Sequence, residues 1–317
     1  DGICLKYIYR STLDKEGKVK EILIEHIKER MVLNSVFKWV GPIHENLVGF
    51  RQTTKTSLED CVVLHLTDSI HIKRSTDRNT KNLEFALYQT KGEDPRYTYF
   101  LAKAYLDRRT SEYNDKAFPL IQNFLWGEYK STWPEERAQA YEYLSDIYRQ
   151  RGQFNNAIKS CVQALDEEPR RKSIYLNIAL AYIDKGEWDK ALFWVHLADR
   201  ISDKDTSLNV NPRDSKVIKL AAVYTASLNK GKTYDAYEAA LELIKILPND
   251  PAIKTSYDFI SKQKDQRDIA TVISGLVAHL KSAGETDKII TLLASIPTVA
   301  KDDPMIGQIK KEFLVQI

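Results

Sequence analysis

A shift of 34 residues lays the middle of this 317-residue chain onto itself. Tyr141 falls on Tyr175, Leu144 on Ile178, Tyr148 on Tyr182, Gly152 on Gly186, Ala157 on Ala191 and Ala164 on Ala198. A fixed period of this length constrains the fold strongly. Each copy is one supersecondary unit that cannot bury its apolar face alone, so neighbours must stack to make a core. Counted from Tyr141, offsets 0, 3 and 7 place aromatic, aliphatic and aromatic side chains on one face of a first helix. Alanines at offsets 16 and 23 allow a second helix to approach it closely. Gly152 eases the turn between them, and Pro169 stops the second helix. Twelve glycines and ten prolines make up ~7% of the chain, against about 12% in ordinary proteins, so long helices are expected over most of it.

Weaker copies flank the central two. Upstream, Leu101 and Tyr105 match offsets 3 and 7, with Thr98 at offset 0 and Ala117 three residues late. Downstream, Leu220 and Tyr224 match with Val217 at offset 0, Ala236 is late by the same amount, and Pro248 takes the stop position. Ile269 to Leu280, Gly284, and Ile289 to Ile296 predict a further hairpin. The repeat resembles the tetratricopeptide repeat, whose hairpins stack into a superhelix. The expected fold is therefore mostly α, a tetratricopeptide-like solenoid over residues 81–317 preceded by a small α/β part over residues 1–80. Stacks of this kind bind peptides, form homodimers, or brace another domain.

The first part reads differently. Ile3, Leu5, Tyr7 and Tyr9 alternate with other residues, Glu16-Gly17 supplies a turn, and Val19 to Ile24 resumes an apolar stretch. Cys61-Val62-Val63-Leu64-His65-Leu66 predicts a buried strand, and helical spacing begins near Asn79. Phe37-Lys38-Trp39-Val40-Gly41-Pro42-Ile43-His44-Glu45-Asn46-Leu47 suits a shaped loop that presents a carboxylate. A net charge of +3 gives no reason to expect nucleic acid or a membrane surface as partner. No apolar run is long enough to span a membrane. Cys4, Cys61 and Cys161 form no C-x-x-C pair and read as buried free thiols, which suits a cytoplasmic protein.

The run from Tyr7-Ile8-Tyr9, through Glu29-Arg30-Met31, to Trp39-Val40-Gly41-Pro42-Ile43-His44-Glu45 resembles the latter half of the catalytic domain of family 2 glycosyltransferases of the GT-A type. The likeness is to bacterial and phage members in which that domain runs into tetratricopeptide repeats. Val62-Val63-Leu64-His65, Asp77-Arg78-Asn79 with Asn82-Leu83-Glu84, and Asp94-Pro95-Arg96 with Tyr99-Phe100-Leu101-Ala102 continue it. The resemblance implies inverting transfer from a nucleotide-sugar donor held by a divalent Mn or Mg ion. It implies Glu45 as general base, with His44 orienting it. It implies His65 as metal ligand, His71 being the weaker rival. Trp39 and Gly41 would shape the sugar or acceptor pocket, and Arg30 and Arg78 would face diphosphate, although surface salt bridges explain the two arginines equally well.

The family's nucleotide-binding half and its Asp-x-Asp motif are missing from this sequence. Asp203-Lys204-Asp205 has the spelling but falls between repeats and reads as a solvated loop. The chain opens on Asp1 without a leader pattern, so a fragment is expected, its other half lost, cleaved or encoded separately. Two functions follow. One is a glycosyltransferase completed by a second half. The other is a non-catalytic repeat module that grips a protein partner.

Overall fold

A computed structural model describes residues 1–13, 16, 18–41, 46–49, 54–65, 69–202, 212–296, 300 and 302–314. The chain divides into two units, one of Asp1–Lys185 with His196–Lys216, the other of Gly186–Val195 with Val217–Ile317.

The first unit opens with strands β1 (Gly2–Leu13), β2 (Val19–Val32), β3 (Phe37–Val40), β4 (Asn46–Gly49) and β5 (Lys55–Leu64). β1 is the centre of a sheet ordered β2-β1-β5, antiparallel to β2 and parallel to β5. β3 and β4 pair as a separate hairpin. Gly2 carries no side chain to fill the start of β1. The space its missing Cβ would meet is shared by Lys55, Val32 and Phe37, and Lys55 there reaches Glu29 at 2.6 Å. Three of the expected strands are present, and the helix within residues 1–80 begins only at Ser69. A parallel pair needs a crossover, and here the β3–β4 hairpin lies in it where an α/β unit would place a helix. Trp39 and Val40, expected in a loop, stand in the regular strand β3, because Leu47 and Asn46 pair with them across the hairpin. Cys61, expected buried, is exposed at the outer strand β5, whereas Cys161 is buried.

Helices fill the rest. α1 (Ser69–Gln89) begins well before the apolar spacing shows it, its first turns lacking an amphipathic pattern. Then follow α2 (Pro95–Leu106), α3 (Ser111–Trp126), α4 (Pro134–Gln150), α5 (Phe154–Glu167), α6 (Lys172–Asp184), α7 (Trp188–Arg200), α8 (Pro212–Asn229) and α9 (Thr233–Ile246). α10 (Pro251–Ser282), α11 (Thr286–Ala294) and α12 (Pro304–Leu314) complete the chain. Asp-Pro pairs start two of them. Asp94 accepts from the Arg96 N–H, and Asp250 from the Ala252 and Ile253 N–H groups, while Pro95 and Pro251 occupy first-turn positions that need no donor.

The core follows the repeat. Leu144, Ala157, Ala164, Ile178, Ala191 and Ala198 are all buried, as are Tyr141 and Tyr175, while Tyr148 and Tyr182 are half-buried. The turn glycines Gly152, Gly186, Gly231 and Gly284 adopt φ of 69°, 74°, 67° and 74°, a region in which a Cβ is penalised. Three of these turns close with a bond reaching five residues back, as from the Gln153 N–H to the Tyr148 carbonyl at 2.8 Å.

These turns fix the register of the weak copies. Gly231 takes the place of Gly152 only if Leu220, not Val217, stands at offset 0, which puts Ala236 in its expected position. In the upstream copy the left-handed turn residue is Arg109, at φ 54°. The offset-16 place there belongs to Asn114 rather than Ala117, which lies almost one turn further along α3 and is also buried. In the second unit Ile289 and Ile296 hold the two alanine places of the last hairpin and join its core with Ile273 and Leu293.

Candidate functional site

Of the residues singled out in the first part, His44 and Glu45 lie outside the described residues, as do the side chain of His71 and the Asp203-Lys204-Asp205 run. Two others come together on Tyr7 of β1. The Arg30 guanidinium lies 4.4 Å from the Tyr7 ring centroid, and the His65 ring is 5.8 Å from it. His65 is held at the end of β5 by its N–H, which donates to the Ile8 carbonyl at 3.0 Å. Trp39 is exposed on β3, Gly41 follows it at φ 113°, and Arg78 is exposed on α1. No described contact joins these three to the Tyr7 group.

Among the described residues no group of three or more His, Cys, Asp or Glu gathers to hold a metal.

A second candidate lies on the first helices of three successive hairpins, α2, α4 and α6. The Tyr99 hydroxyl of α2 donates to Gln139 Oε1 of α4, and the Tyr99 and Tyr143 rings stack with centroids 6.4 Å apart. One turn along α4, Glu142 accepts from Asn177 Nδ2 of α6 at 3.0 Å. Arg171, just before α6, brings its Nε within 2.7 Å of Glu142 Oε2. Arg149 of α4 lies between Asp184 at 2.7 Å and Asp146 at 3.5 Å. Side chains thus link α2 to α4 at Tyr99, and α4 to α6 at Glu142. The face mixes buried groups, Tyr99 and Glu142, with partly open ones, Gln139, Tyr143 and Asn177.

Burial sets the protonation states. It pushes the Tyr99 phenol well up, helped by the Glu136 carboxylate. Tyr143 rises for the same reason, with Tyr99 and Asp107 adding to it. Glu142 is raised by burial and pulled back by Arg171. Glu136, only 5% exposed at the start of α4, is pushed up to about 6 by burial against the opposing pull of Arg96. Such phenols and amides hydrogen-bond rather than react, so the face is equipped for recognition. Sequence reasoning passed over these residues because the repeat marks only the core. The available signal was that Tyr99, Glu142, Tyr143 and Asn177 all sit at offsets 1 or 2, beside the core stripe.

Residues 148–208 match the tetratricopeptide repeat family. They span the end of α4, α5, α6 and α7, where the 34-residue period is clearest. No curated protein matches the chain. Among solved structures, a thermophilic tetratricopeptide-repeat protein of Thermus thermophilus overlays with a TM-score of 0.40 at 19% identity, over 60% of this chain and 93% of that one. PilF of Pseudomonas aeruginosa gives 0.43 at 14%, over 69% and 97%. The second tetratricopeptide domain of human RPAP3, solved with an HSP70 peptide, gives 0.33 at 16%, over 40% and 98%. Among the described residues no helix is long and apolar enough to cross a membrane.

Proposed function

We propose that the chain is a protein-interaction module whose hairpins grip an extended segment of a partner along the face built by α2, α4 and α6. The observation that carries this reading is the pair of side-chain links across three successive first helices, Tyr99 to Gln139 and Tyr143, and Glu142 to Asn177. Repeats of the family matched at residues 148–208 present extended recognition surfaces of this kind. Aromatic rings with polar tips are well suited to such a surface, since they add contact area at little entropic cost. Free thiols at all three cysteines fit a cytoplasmic setting. The test is a screen of the full chain against a randomised peptide library, with Tyr143→Ala and Asn177→Ala as face variants. Selected peptides should bind the native chain and lose at least tenfold in affinity to either variant. Equal binding by all three proteins would place the interaction elsewhere.

The glycosyltransferase reading rests on the sequence resemblance. Its own measurement is transferase activity of the chain completed by a nucleotide-binding half, which Glu45→Gln should abolish and which, if unchanged in that variant, removes Glu45 as the base.

A further inference from the structure

Beside the peptide face, the C-terminal end of α2, the start of α3 and the last turns of α4 enclose a cavity of about 350 Å³, a volume within the usual range of ligand sites. Its polar lining consists of Asp107, Arg109, Asn114, Tyr143, Asp146 and Gln150. Asn114 is the unusual member. It stands at the helix-contact place that Ala157, Ala191 and Ala236 occupy in other hairpins, and it is only 6% exposed. Its amide nitrogen donates to Gln150 Oε1, which leaves its own carbonyl oxygen without a described partner. A buried amide in an alanine's place, with an acceptor left over, points to a ligand that donates hydrogen bonds.

The charges agree. Asp107 and Asp146 bring two carboxylates to the cavity wall, and no described side chain forms an ion pair with Asp107. Both aspartates are exposed, so their carboxylates are within reach of a cation arriving from solvent. The nearby cations are Lys103, Arg109 and Arg149. Lys103 and Arg109 act on Asp107 through space. Arg149 is shared between Asp184 at 2.7 Å and Asp146 at 3.5 Å, which leaves Asp107 the less compensated of the two acceptors. Arg109 is exposed at the rim and free to extend into water.

We propose that this cavity seats the guanidinium group of an arginine on the bound segment, with Asp107, Asp146 and the Asn114 carbonyl as acceptors. A guanidinium presents five donors in a planar fork and no acceptor, which matches a wall of two carboxylates and an amide oxygen. The proposal builds on the peptide-binding reading and names the residue that the partner must carry. Tyr143 then has two roles, since one side of it belongs to the α2–α4 face and the other lines the cavity.

The experiment uses the full chain labelled with ¹⁵N, the Asn114 side-chain amide being assigned by its loss in Asn114→Ala. N-acetyl-argininamide is titrated against N-acetyl-citrullinamide, which keeps the shape without the charge. The arginine compound should shift the Asn114 amide and bind at least tenfold more tightly. Asp107→Asn and Asp146→Asn should each remove most of that preference, and Arg109→Gly should tighten arginine binding by removing the rim cation. Equal binding of the two compounds, or an arginine preference that survives Asp107→Asn with Asp146→Asn, overturns the proposal. A chain that binds argininamide but captures no peptide overturns the peptide reading and leaves the cavity assignment standing. Captured peptides without arginine, together with no argininamide shift, do the reverse.

Discussion

Glu136 offers a quantitative check on the buried polar face. Its carboxyl is 5% exposed and titrates near 6 rather than at its ordinary 4.5, with burial as the main cause. A folded-state pKa above the unfolded value means that the native chain holds the proton more tightly. Stability from this group is therefore greatest below about pH 4.5 and falls as pH rises through about 6. The difference amounts to about 2 kcal/mol once the carboxylate is fully ionised. Glu136 is also the third residue of α4, where a negative charge gains roughly 0.3–1 kcal/mol from the helix dipole. Glu136→Gln should thus stabilise the chain by about 1–2 kcal/mol at pH 7.5 and have little effect near pH 4. Urea unfolding followed at several pH values for both proteins isolates the effect, because other titrating groups cancel in the difference. The slope with urea must stay constant between the two for the comparison to hold. A variant that is less stable than the native chain at pH 7.5, or a difference that does not vary with pH, would refute the argument.

Other perturbations probe the scaffold. Arg109→Gly should raise stability by about 1 kcal/mol, since relief of a left-handed residue outweighs the entropy of glycine; thermal unfolding reads it, and a fall would mean that the Arg109 side chain matters more than its backbone. Leu144→Ala removes a side chain with no exposure from the repeat core and should cost about 3–5 kcal/mol by urea unfolding, whereas a loss under 1 kcal/mol would show that α4 and α5 close the gap. Arg137 pairs with Glu167 at 2.7 Å and donates to the Leu125 and Ser131 carbonyls, tying α3 and α5 to α4. Arg137→Lys keeps the charge but loses the fork, and should cost about 2 kcal/mol; equal stability would show that charge alone suffices.

How much of this was legible in the sequence depended on what each residue had to satisfy. Tyr141, Leu144, Ala157 and Ala164 pack against partners that recur at every copy, so their spacing repeats and can be seen. The register of the weak copies could not be read from such side chains. Val217, Leu220 and Tyr224 are all apolar enough to occupy either frame, and only the backbone at Gly231, which needs a positive φ, decides between them. Turn glycines were thus the better guide to register, and they were present in the sequence throughout. Arg109 shows why they were not sufficient, since it takes the same conformation without being glycine. The strands of the first part were visible as alternation, but the helix at Ser69 was not, because Ile70 and Ile72 stand two apart and Lys73 to Asn79 supply no apolar residue to continue a helical face.

The face proposed for recognition was the least legible, and for a physical reason. A core position must be apolar and of a certain size, so its identity is constrained by neighbours that repeat. A position beside the core stripe is constrained by whatever lies on the other side of it, and that partner is not in the sequence. Asn114 sits on the boundary between these cases. It occupies a core place in the repeat, yet it is polar, buried and joined to Gln150, so the packing of hairpins alone does not account for it. Replacing it with the alanine of its counterparts separates the two demands. If Asn114 serves only to fill the contact between α3 and α4, Asn114→Ala should leave a small cavity and lower stability, with no consequence for arginine binding. If it is an acceptor for a ligand, Asn114→Ala should weaken the binding of N-acetyl-argininamide severalfold, whatever it does to stability. Asn114→Asp, which keeps the acceptor and adds charge, should then bind the same compound more tightly than the native chain. Weaker binding by Asn114→Asp would return Asn114 to a purely structural role.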